Sequence, residues 1–372
     1  MMKEDIKMLC CIDCGGDLQL INVEIKNDVI LHGVLACVSC GRRFPIIDGV
    51  GVFFIKSSLN SLITDYERQL IDKYGYYNVL DGGDNTTHEK VVAVAKNWEY
   101  QWEKVLPFDG SDLEKDSIIG PRLFWIYIPI DPLFVKNKIV FIACGGRGRE
   151  GYHICKQNPS KVLIVEIGAE IYSISKLIPD SGKRTVLLRC DILNHPVKDT
   201  MVDISICDHA LQHVLDYRLA FKNLSSATKS GGIVSICVYS YENNFIMTHI
   251  VEPLKWLFHA FPLIFQRGLA FIPAVIIYTL INLIYLPASH LSLKFKWVRK
   301  LFPLFDHMIF WSTSPFKIIW CACFDLIHAP ISYHFKKSEV VDLAYTNKLH
   351  IMKLINTHGT TWSLVAEKLK EQ

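Results

Sequence analysis

The sequence predicts an α/β protein built on a doubly wound parallel sheet, preceded by a small metal-binding domain and carrying a helical insertion. Three observations predict this architecture. Apolar strand-like runs alternate with helical segments from residue 139 onward, a glycine-rich turn follows the first of these runs, and two Cys-x-x-Cys pairs stand within the first 40 residues. Such alternation is typical of parallel sheets, whose ligands bind outside the carboxyl ends of the strands.

Composition limits the classes of function. The 372 residues include 40 basic and 37 acidic side chains, so the net charge of +3 gives no strong indication of a nucleic-acid partner. Twelve cysteines are scattered through strand-like runs, which favours a reducing compartment over a disulfide framework. The stretch "MMKEDIKMLCCIDC" has no apolar core of signal-peptide length, so we expect a cytoplasmic protein.

The two Cys-x-x-Cys pairs predict a zinc ribbon. They are separated by 22 residues, each is followed by a glycine, and they consist of Cys11, Cys14, Cys37 and Cys40. Four thiolates fill the tetrahedral shell of zinc and leave no position for water, so the metal is expected to be structural. The alternative is four ordinary buried cysteines; Cys10 lies outside the pattern. Between the pairs, alternating residues on both sides of Lys26-Asn27-Asp28 predict a hairpin.

The segments "CIDCGGDLQL" and "LACVSCGRRFPIIDGVGVFF" resemble the small zinc-ribbon activator protein of RNA and protein methyltransferases. The resemblance covers residues 8–55. It implies a domain at 1–56 that acts as a built-in stabiliser or docking element, and a methyltransferase domain after it. The two arginines of "CGRRF" would then be surface or interdomain residues.

Residues 57–110 are predicted to be a linker with helical pieces. The stretch "LDGGDNTTHEK" has the composition of a loop, and "AVAKNWEYQWEKV" that of a helix with Trp98 and Trp102 on one face. Both tryptophans are expected to be packing residues. Similar segments in fused-ribbon methyltransferases imply that this helix lies over the cofactor cleft.

The main domain begins with a predicted strand at residues 139–143 that enters a glycine-rich turn and a helix. This context brings backbone amides close to a charged ligand. A second strand ends at Glu166, where a carboxylate can accept both hydroxyls of a ribose, and a third ends at Asp191. Gly146-x-Gly148-x-x-Gly151 also matches the dinucleotide fingerprint, so an NAD-dependent dehydrogenase is an alternative.

The order of these features resembles class I S-adenosylmethionine-dependent methyltransferases. The matching stretches are the turn at Cys144, Gly145 and Gly146, the acids Glu166 and Asp191, "HALQHV" with His213, and "KSGGIV". The resemblance implies S-adenosylmethionine as cofactor, bound by these six named residues, and a seven-stranded Rossmann-like sheet. Its first five strands would lie in 111–241, and its last helix and hairpin in 331–372.

Two positions depart from that family. An acid usually stands three residues before the cysteine and a glycine one before it, whereas this chain has Phe141 and Ala143. Since the acid normally helps to hold the methionine ammonium group, a cofactor-binding protein without activity is a second alternative. Methyl transfer depends mainly on positioning. Asp208, His209 and Tyr239 are weak candidates for a base, and the catalytic residue is unknown.

Residues 242–330 are predicted to form a helical cap over the active site. Residues 268–288 contain no charged side chain, and this stretch is long enough for a membrane helix. One crossing would separate the last hairpin from its sheet, and Pro273 and Pro287 are expected to cut the stretch into pieces. The cap is therefore predicted to be apolar because it packs on the sheet. The basic residues Lys294, Lys296, Arg299 and Lys300 suit the anionic inner face of a membrane.

Together these features predict a methyltransferase acting on a small, hydrophobic or lipid-like acceptor, with peripheral membrane contact. An RNA or protein methyltransferase is disfavoured by the near-neutral charge and the apolar cap.

Overall fold

A computed structural model describes residues 1–54, 61–74, 85–105, 110–115 and 120–370. Its strands form a single sheet of eleven in the order β1-β2-β3-β4-β7-β6-β5-β8-β9-β11-β10. In chain order they are β1 Leu18–Lys26, β2 Val29–Cys37, β3 Arg43–Ile47, β4 Val50–Phe53, β5 Ile139–Ala143, β6 Lys161–Glu166, β7 Thr185–Cys190, β8 Val202–Asp208, β9 Thr228–Tyr239, β10 Leu349–Thr357 and β11 Thr361–Lys368.

Strands β5 to β11 form the predicted seven-stranded sheet. Strands β5 to β9 pair in parallel, and β11 pairs antiparallel with both β9 and β10. The central strands are continuous runs of Val, Ile and Leu that are buried along their length, as expected where helices cover both faces. The carboxyl ends of β5, β6, β7 and β8 consequently meet at one edge, where the predicted site residues lie.

The N-terminal ribbon extends this sheet. Strand β4 pairs in parallel with β7, with Val50 opposite Leu187 and Phe53 opposite Cys190. The predicted hairpin is confirmed: β1 and β2 pair antiparallel around Asn27 and Asp28, whose φ angles of 52° and 68° are those of a tight hairpin turn. The predicted boundary at residue 56 lies outside the described residues.

Helices flank the sheet and form the cap. We number those of α type in chain order: α1 Asp65–Tyr74, α2 Asn85–Tyr100, α3 Pro121–Tyr127, α4 Arg149–Cys155, α5 Ile174–Leu177, α6 Ser181–Arg184, α7 Tyr217–Ala227, α8 Glu252–His259, α9 Leu263–Leu280, α10 Leu286–Lys294, α11 Val298–Leu301, α12 Phe305–Trp311, α13 Phe316–His328 and α14 Lys337–Thr346. Helix α2 begins inside the predicted loop "LDGGDNTTHEK", whose residues 80–84 lie outside the described part. A π-helical turn, Gln101–Val105, follows α2 directly.

The predicted break of the apolar stretch at its prolines is wrong. Helix α9, the π-helical turn Ile281–Tyr285 and α10 form one continuous helix from Leu263 to Lys294, which we call the cap helix. Pro273 lies inside α9, and Pro287 lies in the first turn of α10, after a π turn of the kind that accommodates such a residue. Among the described helices, the 32-residue cap helix alone meets the length and composition needed to cross a membrane.

The predicted reason for the apolarity of the cap is also wrong. One face of the cap helix packs against α13, in a cluster that includes Ala270, Ala274 and Ile281. The remaining apolar side chains largely face solvent, and only 22% of its most apolar 18 residues are buried. The cap is therefore apolar mainly on its outside.

Candidate cofactor and zinc sites

The four predicted zinc ligands lie together. The Sγ atoms of Cys11 and Cys40 are 3.7 Å apart, those of Cys14 and Cys37 are 3.5 Å apart, and all four lie within 4.8 Å of one another. Zn–S bonds of about 2.3 Å in a tetrahedron place sulfurs about 3.8 Å apart. The donor set therefore fits zinc. The Cys10 thiol points away and donates to the Pro196 carbonyl at 3.4 Å.

The two halves of the zinc site have the same backbone geometry. Gly15 and Gly41 have left-handed φ angles of 71° and 73°, and their N–H groups donate to the Cys11 and Cys37 carbonyls at 2.9 and 3.0 Å. Glycine adopts this conformation without strain. The prediction for the arginines is wrong for Arg42, which is buried and pairs with Asp13 of the other half, whereas Arg43 is exposed.

The glycine-rich turn after β5 brings backbone close to β6. A Cβ built on Gly145 would lie 2.4 Å from Cγ2 of Ile164, and one on Gly151 would lie 2.7 Å from its Cδ1. Gly146 and Gly148 have φ angles of 48° and 95°, in the left-handed region. Glycine is thus required here for close packing and for backbone shape.

Glu166 is buried at the end of β6 beside this turn. Its carboxylate accepts hydrogen bonds from the N–H groups of Gly146, Ile167 and Gly168 at 2.7, 2.8 and 3.0 Å. Burial raises its pKa, although these amides oppose the change. One carboxylate therefore ties the turn to β6 at the position predicted to contact ribose.

A second carboxylate, which the sequence analysis missed, lies next to Glu166. Glu170 is 9% exposed, and neither of its carboxylate oxygens has a hydrogen-bond partner in any other described residue. Burial raises its pKa, and the neighbouring Glu166 adds to the effect. An unpaired buried polar group is costly and is typical of a site that a ligand completes.

Asp191 and Cys144 lie at the neighbouring strand ends. Asp191 follows β7 and accepts from the N–H of Leu193 at 2.9 Å, and burial raises its pKa. Cys144 has a left-handed φ of 55°, and the pKa of its thiol is raised by the Cys207 side chain and by burial. Glu166 and Asp191 both contribute to that shift, so these two acids lie near Cys144.

The segment after α2 covers the glycine turn. A Cβ on Gly146 would lie 3.3 Å from the Trp102 ring, and Arg147 donates through Nη1 to the Trp102 carbonyl at 3.0 Å. Trp98 does not share this contact; its ring lies 4.8 Å from that of His213. The structure thus places Trp102 over the candidate cofactor turn.

Phe141 stands where the family usually has an acid, and it lies in the hydrophobic core. It is fully buried and packs against the His195 ring at 5.1 Å. A further charged pair lies just beyond the turn: Arg149, at the start of α4, pairs with Asp208 at the end of β8 and with Glu150. Asp208 is recognisable from the sequence and Arg149 is not, because the two meet only when β5 and β8 become neighbours.

His209 is held by Asp208. Its Nδ1 lies 2.6 Å from Asp208 Oδ1, its Nε2 lies 3.5 Å from Cys237 Sγ, and its ring is 4.4 Å from that of Tyr127. Burial opposes protonation, but Cys237 and Asp208 outweigh it and raise the pKa of His209 to about 10. A protonated imidazole cannot accept a proton, so this geometry disfavours His209 as a resting base.

His213 and Tyr239 face the cap. Nδ1 of His213 lies 2.7 Å from the Ile331 carbonyl, while its Nε2 is buried without a partner among the described residues. The Tyr239 ring lies 5.5 Å from His213 and 5.6 Å from His334. The structure therefore brings His213 to the underside of the cap; its predicted cofactor contact stays a prediction.

The cap contributes polar side chains to the same region. Lys255 of α8 donates to Ser332 Oγ and pairs with Glu252, both at 2.8 Å. Asp325 of α13 has one carboxylate oxygen that is inaccessible and unpaired within the described chain. Burial raises the pKa of Asp325 to about 6. We call His213, Tyr239, Lys255, Asp325 and His334 the cap-side polar cluster.

Two family models match this chain. Residues 6–49 match the model of Trm112p-like proteins, and residues 141–236 match that of a methyltransferase domain. The chain carries a Trm112p-like zinc ribbon fused to a class I methyltransferase domain. The second match includes residues 146–151, so the glycine fingerprint belongs to the methyltransferase domain and not to a dehydrogenase.

Solved structures that resemble this chain are 10–11% identical to it in sequence. One is a complex between the Haloferax volcanii Trm112 methyltransferase activator and a proposed methyltransferase, with 10% identity, TM-score 0.44, and coverage of 74% of this chain and 99% of that one. A second is 1,6-didemethyltoxoflavin-N1-methyltransferase from Burkholderia thailandensis, with 11% identity, TM-score 0.44, and coverage of 78% and 94%. None of the curated proteins matches the chain by sequence.

The residues present fit both groups that the family implies. The four sulfurs have the spacing of a zinc shell. S-adenosylmethionine is the cofactor of the methyltransferase domain. The glycine turn, the carboxylate of Glu166 and the unpaired carboxylate of Glu170 offer it backbone and oxygen contacts, while Phe141 offers none to its ammonium group.

Proposed function

We propose that the protein transfers a methyl group from S-adenosylmethionine to a small lipid-like acceptor whose polar end lies in the cap-side polar cluster. The cluster carries this proposal. Under an outwardly apolar cap, the side chains next to the sheet edge are charged or polar, and His213 Nε2 and Asp325 Oδ1 lack partners within the described chain. The polar end of an acceptor fits the cluster beneath the cap, and an acceptor that resides in lipid suits a cap whose outside is apolar.

The chain's own residues would hold the cofactor at both ends. Glu166 and Glu170 would face the ribose side, and the pair Arg149 and Asp208 would receive the amino-acid end. A guanidinium suits the carboxylate and a carboxylate suits the ammonium, which compensates for the missing acid at Phe141. When bound, the cofactor supplies an electrophilic methyl group on a sulfonium. Trp102, over the turn, would exclude water.

Asp325 is the strongest candidate for the proton acceptor. Its pKa of about 6 leaves it ionised at neutral pH, and its free oxygen can accept a proton from an acceptor hydroxyl. The other candidates fit less well, because His209 is protonated and Asp208, which pairs with Arg149, is assigned to the amino-acid end of the cofactor. Burial raises the pKa of Tyr239 well above its usual value.

The test combines labelled S-adenosylmethionine with lipid extract, RNA and protein fractions. We expect label in the organic-extractable fraction, at a rate that rises as pH increases through about 6, where Asp325 ionises. Asp325→Asn should slow transfer about 100-fold or more with unchanged affinity for S-adenosylhomocysteine. Asp306→Asn, at an exposed cap residue that pairs with Arg299, is the matched control.

Two outcomes would contradict the proposal. Label in RNA or protein alone would assign the acceptor to that class. Tight cofactor binding without transfer to any fraction would favour the alternative that the chain binds the cofactor but has no activity. That alternative follows from Phe141, which stands where the family usually has an acid.

A further inference from the structure

The cap helix presents a continuous apolar face to solvent. Phe265, Ile272, Ile276 and Leu283 are 63%, 59%, 53% and 72% exposed. At 100° per residue the three positions in α9, Phe265, Ile272 and Ile276, lie within an arc of about 40°, and Leu283 follows in the π turn. The buried positions Gln266, Ala270, Ala274, Ile281, Tyr285 and Ala288 lie on the opposite side. An exposed apolar surface of this extent marks an interaction site on a soluble domain.

Other cap residues also expose large apolar side chains. Trp256, Trp297, Phe245 and Leu301 are 70%, 60%, 66% and 64% exposed. Tryptophan is enriched where protein meets the boundary between lipid and water, because its ring is apolar and its N–H is polar. Exposed apolar surface on the cap is therefore not confined to the cap helix.

Positive charge lies at the C-terminal end of this face. Lys294, Lys296 and Lys300 are exposed and form no salt bridge with any residue of the described chain, whereas Arg299 pairs with Asp306. There is no Asp, Glu, Lys or Arg between Arg267 and Lys294. An apolar face that ends in unpaired lysines complements an anionic lipid surface, where each lysine contributes about 1 kcal/mol, or about fivefold in affinity.

The helix is suited to lie in the membrane plane and not to cross it. Its inner side packs on α13, and the Trp320 indole donates to the Arg267 carbonyl at 2.9 Å. If the cap helix crossed a membrane, it would either lose its packing on α13 or carry α13 into the hydrocarbon layer. Helix α13 contains Lys317 and Asp325, and charged side chains are costly in hydrocarbon. The chain also returns to the sheet through α14, β10 and β11.

We propose that the cap helix docks the protein on anionic membranes, with its exposed apolar face immersed at the headgroup boundary and Lys294, Lys296 and Lys300 on lipid phosphates. This inference concerns binding to lipid alone and does not depend on the proposed methyl transfer.

The test is co-sedimentation of the full chain with vesicles of phosphatidylcholine, with and without a quarter phosphatidylglycerol. Wild type should bind the anionic vesicles more tightly, and salt should weaken binding. Ile272→Glu/Ile276→Glu/Leu283→Glu should abolish binding. Lys294→Gln/Lys296→Gln/Lys300→Gln should weaken binding to anionic vesicles about tenfold to a hundredfold.

The matched control places three glutamates on other exposed apolar residues, as Leu133→Glu/Tyr345→Glu/Met352→Glu. It should bind vesicles like wild type, and circular dichroism should show all variants folded. The proposal is overturned if wild type does not sediment with anionic vesicles, or if the control loses as much binding as the cap-helix variant. A dimer in solution that only the cap-helix glutamates dissociate, without vesicle binding, would assign the face to a second copy of the chain.

Discussion

Gly145 shows how one residue type fixes the cofactor turn. Its Cα approaches β6 so closely that a methyl group there would lie 2.4 Å from Cγ2 of Ile164, a buried and β-branched side chain that cannot turn away. The same contact ties the turn to the strand that ends in Glu166. A larger residue would therefore disturb packing and the cofactor site together.

We predict that Gly145→Ala lowers the free energy of unfolding by about 1–3 kcal/mol and weakens S-adenosylhomocysteine binding. Gly268→Ala is the control, because Gly268 lies in α9 with nothing within 4 Å of a built Cβ. That change should stabilise the protein by about 0.5–1 kcal/mol. Urea unfolding and calorimetry measure both effects; equal responses of the two variants would contradict the packing argument.

Residue-level prediction from sequence succeeds where a motif is local. Glu166 and the glycine turn are 20 residues apart and fall in a recognisable strand and turn order, and the structure joins them by a hydrogen bond at 2.7 Å. Glu170 and Asp325 could not be recognised, because their unpaired state depends on burial by distant segments. An acid in a helical pattern otherwise indicates a solvated face.

Helix α1 is joined to β7 by a buried ion pair. Glu67 and Arg189 are 0% and 1% exposed, and they pair directly. Glu67 also accepts from the Tyr172 hydroxyl at 2.7 Å and the Thr64 N–H at 2.7 Å. Burial raises the pKa of Glu67, but Arg189 and these donors outweigh it, so the pKa is lowered from 4.5.

We predict that Glu67→Gln costs about 3 kcal/mol at neutral pH, because it leaves the buried Arg189 charge unpaired. The lowered pKa means that the pair stabilises the fold above pH 4.5, the unfolded value, and that this stability is lost as pH falls through the folded pKa. The difference between wild type and variant in urea unfolding should therefore shrink in acid. Asp342→Asn removes an exposed partner of Arg218 and should cost no more than about 1 kcal/mol. A difference that is constant with pH would exclude the ion pair as its cause.

Elements were predictable from sequence where period and composition agree. The predicted strand at 139–143 is observed at the same bounds, the one predicted to end at Glu166 ends there, and the one predicted to end at Asp191 ends one residue earlier, at Cys190. The cap helix was mispredicted because a proline rule assumes that a proline interrupts a helix, whereas Pro287 follows the π turn Ile281–Tyr285 and Pro273 is accommodated inside α9. Its exposure was mispredicted because the sequence shows that a stretch is apolar but not what covers it.

At the scale of the molecule, the ribbon and the methyltransferase core share one sheet. The sequence suggested two units because the cysteine pattern ends near residue 40 and the glycine turn begins near 144. The link is β4, a strand of four residues that pairs with β7 more than 130 positions away. No local pattern encodes such a pairing, although all four β4 residues are buried, as expected of an interior strand.

A shared sheet makes the zinc site a determinant of core stability. Strand β4 follows β3, and β3 pairs with β2, which ends at the ligand Cys37. Losing the metal should free this ligand and disorder the strands that cover β7. The stabilising effect of structural zinc should then reach the methyltransferase core.

We predict one zinc per chain, and that Cys37→Ser releases it and lowers the melting temperature of the whole protein in a single transition. Cys10→Ser is the matched control, because the Cys10 thiol lies outside the four-sulfur cluster. In the described chain this thiol donates a hydrogen bond to the Pro196 carbonyl. It should keep the metal and melt near wild type. Metal analysis measures the zinc content, and calorimetry with S-adenosylhomocysteine identifies the unfolding transition of the methyltransferase core, because the cofactor product stabilises it. If Cys37→Ser lost zinc while this transition stayed at its wild-type temperature, the ribbon would be an independent unit. Strand β4 would then contribute nothing to the stability of the core that it extends.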